Sequence, residues 1–229
     1  MREIVLDTET TGFDPATGDR IVEIGCVELI DHLPTGRSFQ AYLNPERLVP
    51  IETTKVHGLT DEFLADKPLF AHIVEELLEF LGDAPLVIHN ASFDMKFVNS
   101  ELHRCGKPPL PYARAIDTIE IAKAKLPGVR YSLDELCKRF GIDLSARTKH
   151  GALLDAELTA RVYLELVGGR QTKLVLAPGD GVEIHGDALV QVTRTRPREL
   201  TVTITQEEQD AHASFIAKEL GDKPVWSWG

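Results

Sequence analysis

The sequence has few cysteines, which argues against a fold held together by disulfides. Three occur among 229 residues, Cys26, Cys105 and Cys137, and each lies in an apolar-patterned segment. An odd number without metal-ligand spacing fits reduced thiols in a cytosolic protein better than a disulfide framework. The apolar surroundings also disfavour a cysteine nucleophile, because a reactive thiol needs a setting that stabilises its thiolate.

The chain also lacks a long hydrophobic run. No apolar stretch approaches the roughly 18 residues that a membrane-spanning helix needs. Residues 4–6 are apolar and lead directly into acids, with neither the basic segment nor the cleavage site of a signal peptide. Since hydrophobic residues make up an ordinary 43% of the chain, we expect a cytoplasmic protein with no membrane partner.

Positive charge is scarce as well. The 25 lysines and arginines are outnumbered by 36 acids, and the net charge of −11 argues against a protein that grips duplex DNA by charge alone. Within residues 123–149 the bases cluster as Lys123, Lys125, Arg130, Lys138, Arg139, Arg147 and Lys149. This stretch is either a solvated face or a phosphate-contacting flank beside an acidic centre. In the second case the chain itself would have weak affinity for nucleic acid, and a partner would supply most of the binding.

The residue pattern predicts strands in the first part of the chain and helices in the later part. Apolar and alternating segments predict strands over residues 2–8, 20–31, 37–44 and 86–88. Helical spacing and capping signals predict helices over residues 69–81, 92–105, 117–126, 132–140 and 151–167, with Ser92 as the N-cap of the second. This order favours an α/β fold in which a mixed sheet is covered by helices on both faces.

Gly168 and Gly169 mark the best domain boundary. Residues 1–169 would form the folded domain, followed by a linker over residues 170–187 and a C-terminal segment over residues 188–229. The sequence after the glycines predicts a helix over residues 206–220. Taken as a whole, this sequence has few large apolar residues. We therefore expect a tail with little independent core.

An acidic pair follows the first predicted strand. Asp7 and Glu9 are two residues apart, so their side chains project from the same face of a strand. An Asp-x-Glu pair alone is commonly an ordinary surface feature. The string DTETTG (residues 7–12) after a buried strand is much more specific and indicates a ligand site.

Further candidates lie at the starts of two predicted helices. Asp94 falls in the first turn of the helix after strand 86–88, where it could equally serve to cap the helix. His150 and Asp155 flank the start of the last helix, although Asp155 could pair with a lysine and a lone histidine is usually unremarkable. If the fold gathers these carboxylates, divalent cations are the economical way to offset their repulsion. Metal ions together with a histidine suggest hydrolysis of a phosphate ester.

These motifs, taken together and in order, resemble a known family. DTETTG, the string HNASFD (residues 89–94) and the spacing of His150 to Asp155 resemble the three motifs of the DnaQ-like 3′–5′ exonucleases. The histidine spacing is that of the DEDDh subgroup, named for four acids and a histidine. The resemblance covers residues 2–169 and implies an RNase H-like fold. Residues 57–60 (HGLT) also resemble the family's substrate-contacting segment, in which an apolar residue wedges against the terminal base.

The resemblance implies a metal-dependent active site. Asp7 would bridge two Mg²⁺ or Mn²⁺ ions, Glu9 and Asp155 would complete their shell, and Asp94 would hold one ion directly or through water. His150 would act as general base, and the product would be a nucleoside 5′-monophosphate cut from a 3′ end. The residues implied to contact the substrate are Asp7, Thr8, Glu9, Thr10, His57, Leu59, Asn90, Phe93 and Asp155.

Two short segments of the tail indicate protein partners. Residues 171–176 (QTKLVL) resemble the peptides that dock in the sliding-clamp groove, with Gln171, Leu174 and Leu176 as the contacts. The C-terminal region with Trp226 and Trp228 is similar to the segment by which the proofreading exonucleases of bacterial replicases bind the DNA polymerase III alpha subunit. Alternatively, the tryptophans fold back on the domain.

The resemblance therefore implies the proofreading 3′–5′ exonuclease of a bacterial replicase. Such an enzyme would remove mispaired 3′-terminal nucleotides from DNA in preference to paired ones, because a mismatched end frays at lower cost in free energy than a matched one. An RNA 3′-exonuclease similar to oligoribonuclease is an alternative that would not need this tail. A non-catalytic adaptor between clamp and polymerase is a further alternative, which the intact set of acids disfavours.

Overall fold

The structure is a computed structural model that describes residues 1–145, 147, 149–168, 204–215 and 218. The chain divides into two compact units, Met1–Val175 and Leu176–Gly229. The division into three segments, ending at residues 169, 187 and 229, stays a prediction.

A five-stranded mixed sheet forms the centre of the first unit. Its strands are β1 (Arg2–Thr10), β2 (Ile21–Ile30), β3 (Leu33–Tyr42), β4 (Leu86–Ile88) and β5 (Ala115–Asp117). They lie in the order β3-β2-β1-β4-β5, with β2 antiparallel to β1 and β3, and with β4 parallel to β1 and β5. The predicted mixed sheet is confirmed, although the first strand continues to Thr10 and the third begins at Leu33.

Seven α-helices accompany the sheet in the described part of the first unit. They are α1 (Ile51–His57), α2 (Asp61–Leu64), α3 (Phe70–Leu81), α4 (Ala91–Arg104), α5 (Thr118–Lys125), α6 (Leu133–Phe140) and α7 (Ala152–Val167). The five predicted helices match α3 to α7 to within one residue at each end. The sequence patterns missed α1, α2 and β5, because elements this short show no clear periodicity.

The predicted N-cap of α4 is wrong. The N-cap is Asn90, which has a φ of 69° and forms no side-chain capping bond. Ser92 lies inside the first turn, where its hydroxyl donates to Asn90 Oδ1 at 3.2 Å. The cap comes instead from Asp117, whose carboxylate accepts the Asn90 and Ala91 N–H groups at 3.2 and 3.0 Å.

The two faces of the sheet bury separate cores. On one face, Ile4 and Leu6 of β1 pack with apolar side chains of α3 and α4. On the other face, Val5 of β1 packs with Ala156 and Ala160 of α7. Because successive side chains of a strand point to opposite faces, β1 lies between α4 and α7 and is in contact with both cores.

In the second unit the structure describes one helix, α8 (Gln206–Phe215), and none of its residues is buried. This helix lies within the one predicted over residues 206–220. The residues predicted to bind the clamp and the polymerase, which are Gln171, Leu174, Leu176, Trp226 and Trp228, lie outside the described residues. No helix in the described part of the chain is long and apolar enough to cross a membrane.

Candidate active site

A close approach between a helix and the sheet brings α7 to the acidic end of β1. Asp7 of β1 lies opposite Gly25 of β2. A Cβ atom on Gly25 would lie 2.3 Å from the Leu153 nitrogen, so only glycine lets the helix come this near. Asp155 therefore lies in the first turn of a helix that starts directly over the end of β1.

Three side chains with metal-ligating atoms meet at this point. Ligand atoms of Glu9, His150 and Asp155 all lie within 4.8 Å of one another. Glu9 and Asp155 are buried, with 9% and 3% of their surfaces exposed, whereas His150 is exposed on the loop before α7. The His150 N–H donates to the Val56 carbonyl at 3.2 Å, which ties this loop to the last turn of α1.

Asp94 reaches the same site from the start of α4. This helix follows β4, which runs parallel to β1, so the end of β1 and the start of α4 lie at the same edge of the sheet. Asp94 is buried, and Thr8 donates its hydroxyl to Asp94 Oδ1 at 2.7 Å. The structure thus brings together the five residues predicted to be catalytic, which are Asp7, Glu9, Asp94, His150 and Asp155.

Burial and mutual repulsion make the carboxyl groups of Asp7, Glu9 and Asp94 hold protons tightly. Burial raises the pKa of Asp7 well above its ordinary value, and the charges of Asp94, Asp155 and Glu9 raise it further. Burial, with the charges of Asp155 and Glu23, raises the pKa of Glu9 to about 8. Burial also raises the pKa of Asp94 to about 7. This donor set fits divalent cations, because Mg²⁺ and Mn²⁺ prefer carboxylate oxygens and supply the missing positive charge.

One positive side chain lies inside the acidic cluster. Arg147 donates from Nε to Asp155 Oδ1 at 2.6 Å and from Nη2 to Asp155 Oδ2 at 2.7 Å. Its Nη2 is also 2.9 Å from His150 Nδ1, and its Nη1 donates to Asp134. Only 8% of the Arg147 side chain is exposed. The interpretation of residues 123–149 as a solvated face is therefore wrong for Arg147.

Acids from neighbouring strands cap both helices that carry a site aspartate. Asp117 of β5 caps α4, as described above. Glu23 of β2 caps α7, whose own N-cap is Gly151, because Glu23 Oε2 accepts the Ala152 N–H at 3.1 Å. Glu23 also lies directly opposite Glu9 in the β1–β2 register. Neither capping acid was predicted from the sequence. For Glu23, the available signal is an acid within a predominantly apolar strand.

The predicted substrate segment, residues 57–60, lies next to the His150 loop. His57 is buried, its Nδ1 accepts the Leu59 N–H at 3.0 Å, and its Nε2 has no hydrogen-bond partner among the described residues. Gly58 has a φ of 79°, and a Cβ atom there would lie 2.7 Å from Lys149 Cδ. The segment that would hold the terminal base therefore contacts the loop that carries His150.

The remaining predicted substrate contacts lie at the end of β1 and the start of α4. Thr8 and Thr10 are buried, and Thr8 is engaged with Asp94. Asn90 is exposed. Phe93 is partly buried, and its ring centroid lies 4.9 Å from that of Phe97. The contacts of these residues with substrate stay a prediction.

The fold and the site together define an RNase H-like nuclease, and known proteins agree. The family model for exonucleases matches residues 4–163. The DNA polymerase III epsilon subunit of Rickettsia conorii is 47% identical over 224 residues, which cover 96% of this chain and 97% of the relative. That of Escherichia coli K12 is 42% identical over 235 residues, which cover 98% of this chain and 97% of the relative. The chain therefore belongs to the exonuclease family and, within it, to the DNA polymerase III epsilon subunits.

A solved structure supports the assignment to the exonucleases. Exonuclease X in complex with 5′ overhanging duplex DNA is 27% identical and superimposes with a TM-score of 0.56, covering 72% of this chain and 90% of that one. The predicted RNase H-like fold and the predicted proofreading 3′–5′ exonuclease are thereby confirmed. Exonucleases of this family depend on divalent metal ions, which agrees with the acidic site.

Proposed function

We propose that this exonuclease removes mispaired 3′-terminal nucleotides from DNA as a subunit of bacterial DNA polymerase III and releases nucleoside 5′-monophosphates. The observation that carries the proposal is the gathering of Asp7, Glu9, Asp94, His150 and Asp155 at one edge of the sheet. Carboxylates gathered in this way suit hydrolysis of a phosphodiester assisted by two metal ions. The nearly full-length similarity to epsilon subunits supports DNA polymerase III as the assembly.

The four carboxylates would hold two Mg²⁺ or Mn²⁺ ions. Asp7 is suited to bridge both, because the charges of all three other acids act on it. Glu9 and Asp155 would complete the coordination, and Asp94 would act directly or through a water molecule. Bound ions would stabilise the charge that develops on the attacking and leaving oxygens of an in-line displacement.

His150 would act as the general base. Its exposure on the loop before α7 gives its ring access to solvent and to a bound 3′ end. His150 Nδ1 lies 3.3 Å from Asp155 Oδ2. With the ring proton on Nδ1 and directed at this carboxylate, Nε2 would be free to take a proton from the attacking water.

The terminal nucleotide would lie between residues 57–60 and the start of α4. Leu59 would wedge against the terminal base, and the other contacts would come from Asp7, Thr8, Glu9, Thr10, His57, Asn90, Phe93 and Asp155. A mismatched end would enter more readily than a matched one, because it unpairs at lower cost. With a net charge of −11, the chain would hold DNA weakly by itself.

The polymerase and the sliding clamp would hold the chain at the DNA, which it binds only weakly by itself. Residues 170–187 would form a linker with a clamp-binding peptide whose contacts are Gln171, Leu174 and Leu176. Residues 188–229 would bind the alpha subunit through Trp226 and Trp228. Such tethers raise the effective concentration of the nuclease at a primer end. A subunit with these partners would work in the cytoplasm, where the chromosome is copied.

A primer-degradation assay tests the proposed function. The full chain is incubated with 5′-labelled DNA primers that differ only in a matched or mismatched 3′ end, and with a short RNA, in Mg²⁺ or in EDTA. We expect Mg²⁺-dependent shortening from the 3′ end that is fastest for the mismatched primer. Asp7→Ala should keep the fold, as judged by circular dichroism, and should lose at least about 99% of the activity, within the range for lost catalytic groups.

The same assay separates the alternatives. Faster degradation of RNA than of either DNA primer would favour an RNA-trimming enzyme. Absence of metal-dependent cleavage by the wild-type chain would favour a non-catalytic adaptor. No observation on the described residues favours either alternative.

A further inference from the structure

Arg147 is a buried cation that the proposed metal roles do not use. Its guanidinium takes both oxygens of Asp155, with Nε to Oδ1 at 2.6 Å and Nη2 to Oδ2 at 2.7 Å. Two parallel bonds of this kind between charged groups are among the strongest side-chain contacts. Asp155 is buried, so the pair is poorly screened by solvent.

The same guanidinium constrains His150. Arg147 Nη2 lies 2.9 Å from His150 Nδ1. A guanidinium only donates hydrogen bonds, so Nδ1 must accept, and a neutral ring then carries its proton on Nε2. In this arrangement neither ring nitrogen has a free lone pair for a proton from water. Arg147 in this position therefore blocks the base as well as the carboxylate.

A divalent cation and Arg147 require the same atoms. Ligand atoms of Glu9, His150 and Asp155 lie within 4.8 Å of one another, and Arg147 bonds to two of these three residues. The positive charge of Arg147 also offsets part of the rise in the pKa of Asp7 and of Glu9, so it acts on both acids of β1. Arg147 is thus placed as an internal substitute for part of the charge that metal ions would bring.

A second anchor lets the guanidinium leave without becoming unpaired. Nη1 donates to Asp134 Oδ1 in the first turn of α6. The Asp134 side chain is 48% exposed, whereas that of Asp155 is 5% exposed. Rotation toward Asp134 would keep one charged partner for Arg147 while it frees Asp155.

We propose that Arg147 is a positioning residue that holds Asp155 and His150 in place as an internal counter-cation and yields Asp155 to an incoming divalent ion. This inference rests on the proposed metal site. Arg147 competes with the metal, so it lowers the affinity of the site for the ion. Its departure frees the ligand and the base in one movement.

Manganese binding to the full chain tests this competition without any nuclease reaction. Free Mn²⁺ is followed by electron paramagnetic resonance at about pH 7.5, without DNA, in the wild type and in Arg147→Gln. We expect Arg147→Gln to bind Mn²⁺ roughly tenfold more tightly or better, because charge-assisted bonds to Asp155 no longer have to break. Arg139→Gln removes an exposed arginine of α6 and is the matched control. It should bind as the wild type does.

A second variant separates contact from charge. Arg147→Lys keeps the positive charge but lacks the planar fork that spans both oxygens of Asp155. We expect it to bind Mn²⁺ more tightly than the wild type and less tightly than Arg147→Gln. Nitrogen-15 spectra of the His150 ring add a separate readout, since Arg147→Gln should remove the bias toward the Nε2-protonated form in EDTA.

The outcomes distinguish this inference from the proposed function. If Arg147→Gln and Arg139→Gln both bind Mn²⁺ as the wild type does, or if Arg147→Gln binds more weakly, the competition is overturned and the metal site stands. If the wild type binds Mn²⁺ no better than Asp7→Ala, the proposed metal site itself fails. If Arg147→Gln does not fold, Arg147→Lys decides, and affinity equal to that of the wild type overturns the inference.

Discussion

Carboxyl groups in this site are held where water solvates them poorly. Asp7 and Glu9 share one face of β1, as their spacing predicts, and the raised pKa values of Asp7, Glu9 and Asp94 show how strongly each acid resists ionisation. The sequence indicated these acids through motifs that follow buried strands. It placed Arg147 only within a basic stretch and did not predict its contact with Asp155, because a loop residue has no periodic pattern and its partner is found only in the folded chain.

The raised pKa values predict that the metal-free protein becomes less stable as the pH rises from about 5 to about 8. Glu9 and Asp94 hold protons more tightly in the folded chain, with pKa values near 8 and 7 against ordinary values of 4.5 and 3.8. Their contribution to the free energy of unfolding is complete at pH values below the ordinary pKa values. It is lost as the pH rises through the raised pKa values. Thermal unfolding in EDTA should show a falling Tm, at roughly 2–4 °C for each kcal/mol lost.

Two controls assign this slope to the site. Glu9→Gln removes one titrating group, so its Tm should vary less with pH than that of the wild type. Saturating Mg²⁺ should flatten the wild-type profile, because the cation replaces protons as the source of positive charge. A wild-type Tm in EDTA that rises from pH 5 to pH 8 would contradict the placement of these acids.

Elements with a strong pattern were predictable even when short, as β4 is, whereas short elements without such a pattern were not. The helical spacing of α3 and the apolar run of β4 gave bounds within one residue. The capping of α4 was misassigned because its cap, Asp117, comes from a strand that follows the helix in the chain. A cap supplied across the fold has no local sequence signature, whereas a cap within one segment does.

The capping of α4 predicts a marked loss of stability in Asp117→Ala. The carboxylate of Asp117 accepts the N–H groups of Asn90, Ala91 and Ile119 at 3.2, 3.0 and 2.8 Å. Removing it leaves these donors without an acceptor, which should lower the free energy of unfolding by about 2 kcal/mol or more. Chemical denaturation measures the change, and the exposed Asp83→Ala is the matched control.

The cap also bears on the site, since Asp94 lies in the first turn of α4. Asp117→Ala should therefore also weaken Mn²⁺ binding. Asp117→Asn keeps one acceptor oxygen, so it should recover part of the stability and part of this affinity. Equal stability of Asp117→Ala and Asp83→Ala would show that the helix does not depend on this carboxylate.

At the scale of the whole molecule, order along the chain predicted the architecture of the first unit. Strands followed by helices, with a later strand between helices, indicated a mixed sheet, and the parallel pairing of β4 with β1 is what brings distant acids to one edge. Local patterns do not specify which strands pair, so the convergence of Asp7, Asp94 and Asp155 needed the family resemblance or the structure.

The proposed tail function predicts that catalysis and assembly separate. Deletion of residues 171–229 should leave hydrolysis of short single-stranded DNA within about twofold of the full chain, because all the predicted catalytic residues lie in the first unit. The truncated chain should no longer co-purify with the polymerase alpha subunit. Trp226→Ala with Trp228→Ala in the full chain provides a milder test of the same contact. An undiminished complex after deletion would remove the tail as the tether.

Anomalous diffraction from crystals of the full chain soaked in Mn²⁺ and a nucleoside 5′-monophosphate tests the central claim most directly. That claim is that carboxylates from β1, α4 and α7 converge to bind divalent ions. We expect two anomalous peaks enclosed by Asp7, Glu9, Asp94 and Asp155, with Arg147 turned toward Asp134. Anomalous peaks elsewhere would contradict the account. So would the absence of peaks when the same protein binds Mn²⁺ in solution.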